Sequence, residues 1–368
     1  MSAALGAHRP RLDLAPTVDP RDRGGEAQPM LIARNLKKHF PVRTGMLSGR
    51  GKVAYVKAVD DVSFYVLKGE TLGVVGESGC GKSTLARLLM YLVPKDSGEI
   101  TFDGDPVGQS RGLSLRDLRR NMQMVFQDSY SSLNPRLPVE DSIAYGPRVH
   151  GMGRAGAKKL ARELLDKVGL QPDHFGARYP HELSGGQKQR VNIARALALS
   201  PRMLILDEAV SALDKSVAAT VLNLLGYLKR HFNLTYLFIS HDLGVVRYIS
   251  DRVLVMYLGQ VVEIGPVDAI YDAPRHPYSR ALLESRLAMD PRERIDEAPI
   301  SGDPPNPINP PSGCRFRTRC PFAESICAAQ EPALAGAGPD GHFVACHMAV
   351  PRSGHTKAPR FSAQAGAA

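Results

Sequence analysis

Gly76-Glu77-Ser78-Gly79-Cys80-Gly81-Lys82-Ser83 fits the pattern G-x-x-x-x-G-K-[ST], a phosphate-cradling loop. Its flanks agree with that reading. Leu72-Gly73-Val74-Val75 has the unbroken apolar character of a short buried strand, and Thr84 to Leu89 has the character of a helix. A strand, a glycine-rich turn and a helix N-terminus together aim backbone N–H groups at one anion. In this arrangement Lys82 reaches the β- and γ-phosphates, and the Ser83 hydroxyl ligates Mg²⁺. A glycine-rich turn with a chance lysine would give the same letters, but the strand before it and the helix after it argue against coincidence.

The remaining chain suits one large α/β domain with an appendage: 368 residues, 43% hydrophobic and 23% charged. Further buried-strand patterns lie at Met124-Val125-Phe126, Leu204-Ile205-Leu206, Tyr236 to Ile239 and Val253 to Met256. Strands apolar on both faces predict a parallel sheet covered by helices. Helical spacing appears over Lys158–Val168 and Lys188–Leu199. No apolar run approaches the ~18 residues of a membrane span, and the N-terminus lacks the apolar stretch of a secretory signal. A cytosolic chain is therefore expected. The formal charge of +10 comes without a dense basic block, so by itself it selects no partner.

Shorter motifs follow the phosphate loop. The strand Met203 to Leu206 ends in Asp207-Glu208, a pair able to divide the holding of a metal from the polarising of a water. Leu183-Ser184-Gly185-Gly186-Gln187 is a second glycine-rich helix start, explained equally by a serine N-cap taken alone. Gln127 follows one strand and His241 another, and Ser211-Ala212-Leu213-Asp214 follows Glu208. Each is weak alone, since a surface amide, a structural histidine or a helix cap would account for it.

Their order resembles the ATP-binding cassette subunits of ABC transporters over roughly residues 30 to 265. The resemblance implies a phosphate-loop NTPase (RecA-like) α/β core with a parallel sheet, an antiparallel β part and an α-helical signature subdomain. It implies that Gly76, Ser78, Gly79, Cys80, Gly81, Lys82, Ser83 and Thr84 hold ATP. Ser83, Gln127 and Asp207 then hold Mg²⁺, and Glu208, His241 and Gln127 act on the γ-phosphate. Ser184, Gly185, Gly186, Gln187 and Asp214 face the nucleotide of a second cassette. Phe40, with Tyr55 as the alternative, stacks on adenine. Where the family usually has Asp-Glu-Pro-Thr, this chain reads Asp207-Glu208-Ala209-Val210; both carboxylates remain, so hydrolysis is expected to survive.

Tyr130-Ser131-Ser132-Leu133-Asn134-Pro135 and His276-Pro277-Tyr278-Ser279-Arg280-Ala281-Leu282-Leu283 are similar to segments of the oligopeptide and dipeptide importer ATPases. That likeness implies a second, identical or related cassette, two transmembrane permease subunits and an extracytoplasmic binding protein. It places the chain peripherally on the cytoplasmic face of the inner membrane, with no nucleic acid as partner. A soluble cassette ATPase acting on nucleic acid is the rival reading, and a non-enzymatic nucleotide switch is a further one.

Four of the five cysteines crowd the C-terminal end as Cys314-x₅-Cys320-x₆-Cys327-x₁₈-Cys346. In a cytosolic chain, clustered cysteines suggest a metal before disulfides. Residues 298–349 are poor in large apolar side chains and rich in Pro and Gly, so metal–thiolate bonds would supply much of their order. The spacing lacks the C-x₂-C of common zinc sites. The peptide-importer resemblance implies a [4Fe–4S] cluster, with Zn²⁺ as the alternative. The expected organisation is a disordered tail over 1–28, a cassette over 29–265 with its helical subdomain at about 130–195, a cysteine-rich extension over 266–350 with a Pro-rich linker at 298–311, and a second disordered tail over 351–368.

Overall fold

The computed structural model describes residues 24–25, 28–44, 52–128, 132–285, 302–336 and 341–359. All but residues 24, 25 and 28 of the expected N-terminal tail lie outside these, as do Tyr130, Ser131, residues 298–301 and residues 360–368.

Two sheets organise the molecule. The first is antiparallel, with strand order β2-β1-β4-β5, built from β1 (Pro29–Thr44), β2 (Lys52–Leu67), β4 (Ser97–Phe102) and β5 (Asp105–Pro106). The second contains β3 (Thr71–Val75), β6 (Met122–Val125), β7 (Met203–Asp207), β8 (Thr235–Ile239), β9 (Arg252–Tyr257), β10 (Gln260–Pro266), β11 (Ala335–Gly336) and β12 (Phe343–Val344). Its order is β11-β12-β10-β9-β3-β8-β7-β6. The run β9-β3-β8-β7-β6 is parallel, as the doubly apolar strands predict. The other three strands pair antiparallel.

Alternation along the strands divides the core. β7 sends Leu204 and Leu206 into one apolar cluster and Met203 and Ile205 into the other. β8 does the same with Tyr236 and Phe238 against Leu237 and Ile239. All eight side chains are fully buried. Each contributes about 1.5–3 kcal/mol by leaving water, enough together to fix the C-terminal ends of these strands in register.

Helices cover the sheet. α1 (Lys82–Leu89) follows the phosphate loop, and α2 (Leu115–Asn121) precedes β6. Between β6 and β7 stand α3 (Val139–Val149), α4 (Arg154–Lys167), α5 (Pro172–Phe175) and α6 (Gly185–Leu197). α4 and α6 match the two helical patterns of the sequence closely. Next come α7 (Lys215–His231), α8 (Leu243–Ile249), α9 (Val267–Asp272), α10 (Pro277–Glu284) and α11 (Ser325–Ala329). Among the described residues no helix is long and apolar enough to cross a membrane.

The C-terminal extension departs from expectation. It is not a small unit ordered by its cysteines alone. β12 extends the main sheet through Glu263↔Val344 and Ile264↔Phe343, and Phe316 and Val344 are buried. Residues 351–359, expected to lie in a tail, also pack. His355 is buried, its Nε2 stands 2.9 Å from Phe322 O, and Thr356 bonds Glu324. The low apolar content of the segment misleads because part of its order comes from β10, outside its own sequence.

Candidate active site

The phosphate loop bridges β3 and α1. Gly81 caps α1 with φ +110°, and a Cβ there would overlap the Ala58 carbonyl oxygen; one at Gly76 would overlap that of Met256. Only glycine lets the backbone pass so close. No side chain caps α1, which leaves its first N–H groups for an anion that they and the helix dipole would stabilise. Lys82 is buried, and its Nζ donates to Gly76 O at 2.8 Å and Glu77 O at 3.0 Å. Its charge is thereby held inside the loop.

Ser83 Oγ donates to Asp207 Oδ1 at 3.0 Å. Asp207 ends β7 and is 3% exposed. Burial pushes its carboxyl above the ordinary range; the Ser83 bond opposes this, and the charge of Glu208 adds to it. A hydroxyl and a carboxylate at this separation form a hard-oxygen pair of the kind Mg²⁺ takes. A divalent cation there would favour the charged carboxylate, so the residues present fit the metal.

Three strand ends then converge. Gln127 lies two residues past β6, Glu208 one past β7 and His241 two past β8, and these strands are neighbours in the order β8-β7-β6. Gln127 Nε2 donates to Glu208 Oε2 at 2.8 Å, and His241 Nδ1 lies 3.3 Å from the same oxygen. Glu208 itself sits at φ +49°, uncommon outside glycine, with its N–H bonded to Ile239 O at 2.9 Å. This places the glutamate at the carboxyl ends of parallel strands, where α/β sheets bind ligands. The sequence carried no local sign of the left-handed turn at Glu208.

The signature turn lies elsewhere. Ser184 caps α6: its Oγ accepts from Gln187 N–H at 3.3 Å, and Gln187 Oε1 accepts from Ser184 N–H at 2.9 Å. Gly185 faces Leu213 and Gly186 faces Val217, so this turn abuts Asp214, the N-cap of α7. Among the described residues no hydrogen bond joins Ser184, Gly185, Gly186, Gln187 or Asp214 to Lys82, Ser83, Asp207 or Glu208. Phe40 stands opposite Val56 on the β1–β2 pair, with Lys38 Nζ 5.5 Å from its ring centre. Tyr55, opposite Pro41, is 52% exposed.

Cys314, Cys320, Cys327 and Cys346 line one small cavity of about 10 Å³, together with the rings of Phe316 and Phe322. Burial pushes the Cys314 thiol up to about 11 and the Cys346 thiol up to about 12, and neighbouring cysteines add to both. Yet among the described residues no three of His, Cys, Asp or Glu stand close enough together to hold a metal ion. The expectation of an iron–sulfur or zinc site thus finds a shared cavity but no preformed cage.

Sequence reasoning missed the contacts that fasten this segment. Arg315 bonds Asp60 and Leu258 O, and Arg319 bonds Glu77. The alternation Arg315, Arg317, Arg319 was the available signal.

Known proteins resemble this chain along most of its length. Residues 59–211 match the ABC transporter family model, and residues 262–327 match the model of the oligopeptide/dipeptide transporter C-terminal region. A protein of Sinorhizobium fredii described as a "Probable peptide ABC transporter ATP-binding protein" is 50% identical over 88% of this chain and 90% of its own length. An oligopeptide transport ATP-binding protein of Bacillus subtilis is 50% identical over 87% of this chain and 97% of its own. Among solved structures, cbiO1 of Clostridium perfringens, part of an ABC transporter complex, superposes with TM-score 0.56 at 26% identity, covering 67% of this chain and 91% of that one. The ATP-binding cassette MJ0796, in a dimeric post-hydrolysis state bound to ADP and Pi, gives 0.54 at 27% identity over 65% of this chain and 99% of that one.

Proposed function

The chain belongs to the ABC transporter ATP-binding proteins and carries the oligopeptide/dipeptide transporter C-terminal region, and from that premise we propose that it powers the import of peptides through separate permease subunits. The observation carrying this reading is the meeting of Gln127 and His241 on Glu208, beside the Ser83–Asp207 pair and the phosphate loop. The match to peptide transport proteins along most of the chain favours it over action on nucleic acid.

ATP is the substrate. The N–H groups of Gly76 and of Ser78 to Thr84 and the Lys82 ammonium take its phosphates, with Phe40 or Tyr55 against adenine. Ser83, Asp207 and Gln127 would hold Mg²⁺, which when bound neutralises charge on the β- and γ-phosphates. Glu208 accepts a proton from the attacking water, and positioned base catalysis of this kind gives roughly 10²–10⁴-fold. Gln127, bonded to that carboxylate, and His241, 3.3 Å from the same oxygen, orient it and couple the state of the γ-phosphate to the helical subdomain.

The signature turn, with Ser184, Gly185, Gly186, Gln187 and Asp214, serves the nucleotide of a second cassette, identical or related, in a head-to-tail pair. The packing of its two glycines against Leu213 and Val217, on either side of Asp214, supports a joint role for these residues. Exposed Phe126 beside Gln127, and Tyr145 and Val149 on α3, support docking of permease segments at that face, which would hold the chain at the cytoplasmic side of the membrane. An extracytoplasmic binding protein would deliver the peptide.

Cys314, Cys320, Cys327 and Cys346 would hold a [4Fe–4S] cluster, with Zn²⁺ as the alternative. The four thiols lining one cavity support this reading.

Purification of the intact membrane complex tests the transport reading. Permease subunits and a bound peptide are expected with the chain; its recovery with nucleic acid and no membrane subunit would overturn it.

A further inference from the structure

The cysteine-bearing turn touches the phosphate loop directly. Arg319 Nη1 and Nη2 donate to Glu77 Oε2 and Oε1, each at 2.9 Å, and the arginine side chain is 7% exposed. Glu77 lies inside the loop, between Gly76 and Ser78. It is held at two further points: its N–H donates to Tyr278 Oη at 2.8 Å, and its carbonyl accepts from Lys82 Nζ at 3.0 Å. Tyr278 and Tyr257 pack on Phe316, three residues before Arg319 in the same turn, and the guanidinium lies 5.9 Å from the Tyr257 ring centre.

A carboxylate inside an anion-binding loop is electrostatically adverse, because it repels the phosphates the loop must take. A bidentate guanidinium both cancels that charge and fixes the carboxylate in one geometry. We infer that Arg319 is a positioning residue for nucleotide binding: reaching in from the C-terminal segment, it neutralises and anchors Glu77, and so sets the affinity of the loop for a triphosphate. The inference rests on the ATPase reading above and deepens it. The C-terminal extension of this chain then acts as a structural part of its nucleotide site.

The test uses the full-length chain, with phosphate release giving KM and kcat and trinitrophenyl-ATP giving a dissociation constant. Arg319→Ala is expected to raise both constants about tenfold, the factor that a lost charge-assisted contact corresponds to, with kcat changed less than about twofold. Adding Glu77→Gln to that variant removes the bare carboxylate and should return both to within about threefold of wild type. Glu77→Gln alone should leave them at or below wild-type values, and it covers the case in which Arg319→Ala does not fold. Arg317→Ala removes a bond to Ser312 within the same turn and should leave nucleotide affinity unchanged. Equal KM in wild type and Arg319→Ala, an unrescued double variant, a weaker-binding Glu77→Gln, or an equal loss in Arg317→Ala would overturn the inference while the ATPase reading stands. A wild-type chain that neither binds nor hydrolyses ATP would overturn both.

Discussion

The phosphate loop and the cysteine segment meet at Glu77 and Arg319, yet they reach order by opposite routes. The loop is fixed by eight consecutive residues, whose glycines, lysine and serine state the fold and the ligand together. The described residues between 302 and 359 are fixed by residues far away: β10 for β12, Asp60 for Arg315, Glu77 for Arg319. A locally determined element can be read from its letters. One determined by long-range partners cannot, because its own composition shows only half of each contact.

The sharpest test of the loop half of this comparison is Glu208→Gln. Turnover should fall by roughly 10²–10⁴-fold, measured as phosphate release, while nucleotide binding persists. Unchanged turnover would remove Glu208 from the mechanism and leave the strand-end convergence without a purpose.

The cysteine half is tested next by pH. His276 caps α10 with a ring nitrogen, Nδ1, that accepts from Tyr278 N–H at 3.0 Å, which requires that nitrogen to be unprotonated. Burial pushes its pKa down to about 4, opposed by nearby Glu263. The unfolded chain therefore binds this proton below about 6.5 and the folded chain does not. Stability should be complete above that pH and fall as pH drops toward about 4, by as much as ~3 kcal/mol. Glu263 adds in the same direction only at lower pH, once the ordinary carboxylate range is reached: burial alone would raise its carboxyl, but His342, Ser279 and the Arg275 N–H hold it below its ordinary value. Melting temperatures measured between pH 7.5 and 5 check this. His276→Asn should flatten the slope, and an unchanged slope would separate α10 docking from this histidine.

Within the loop, two glycines give an internal contrast. Gly81→Ala meets the Ala58 carbonyl at φ +110°, whereas Gly79→Ala has open space at φ +78°. Both carry a backbone penalty of about 1–3 kcal/mol, but the first should also displace the loop and weaken nucleotide affinity more. Equal affinities in the two variants would show that the close approach does not matter. The smallest effect is expected at Ser184→Ala, which removes the cap of α6 and should cost about 1 kcal/mol in thermal or urea unfolding. A variant as stable as wild type would make the Ser184–Gln187 pair dispensable for folding.

Much of the site was legible because its residues lie at strand ends. Asp207, Glu208, Gln127 and His241 each follow an apolar run, and parallel neighbours bring such positions together. The antiparallel sheet and the identity of the adenine platform were less legible. β1 and β2 are long, half-exposed strands with bulges, so they show neither clean alternation nor a continuous apolar run. Phe40 and Tyr55 consequently remain two positions on one ribbon. The docking of the described residues between 302 and 359 was illegible for the reason already given: Phe316 packs on Tyr257 and Tyr278 and Val344 pairs with Glu263, all far away in sequence.

A crystal of the full-length chain grown with Mg²⁺ and a non-hydrolysable ATP analogue tests the central claim most directly. The account predicts the terminal phosphates within hydrogen-bonding reach of Lys82 Nζ, the metal between Ser83 Oγ and Asp207, and Glu208 facing the γ-phosphate with Gln127 and His241 beside it. A nucleotide bound elsewhere, with the Ser83–Asp207 pair untouched, would contradict it.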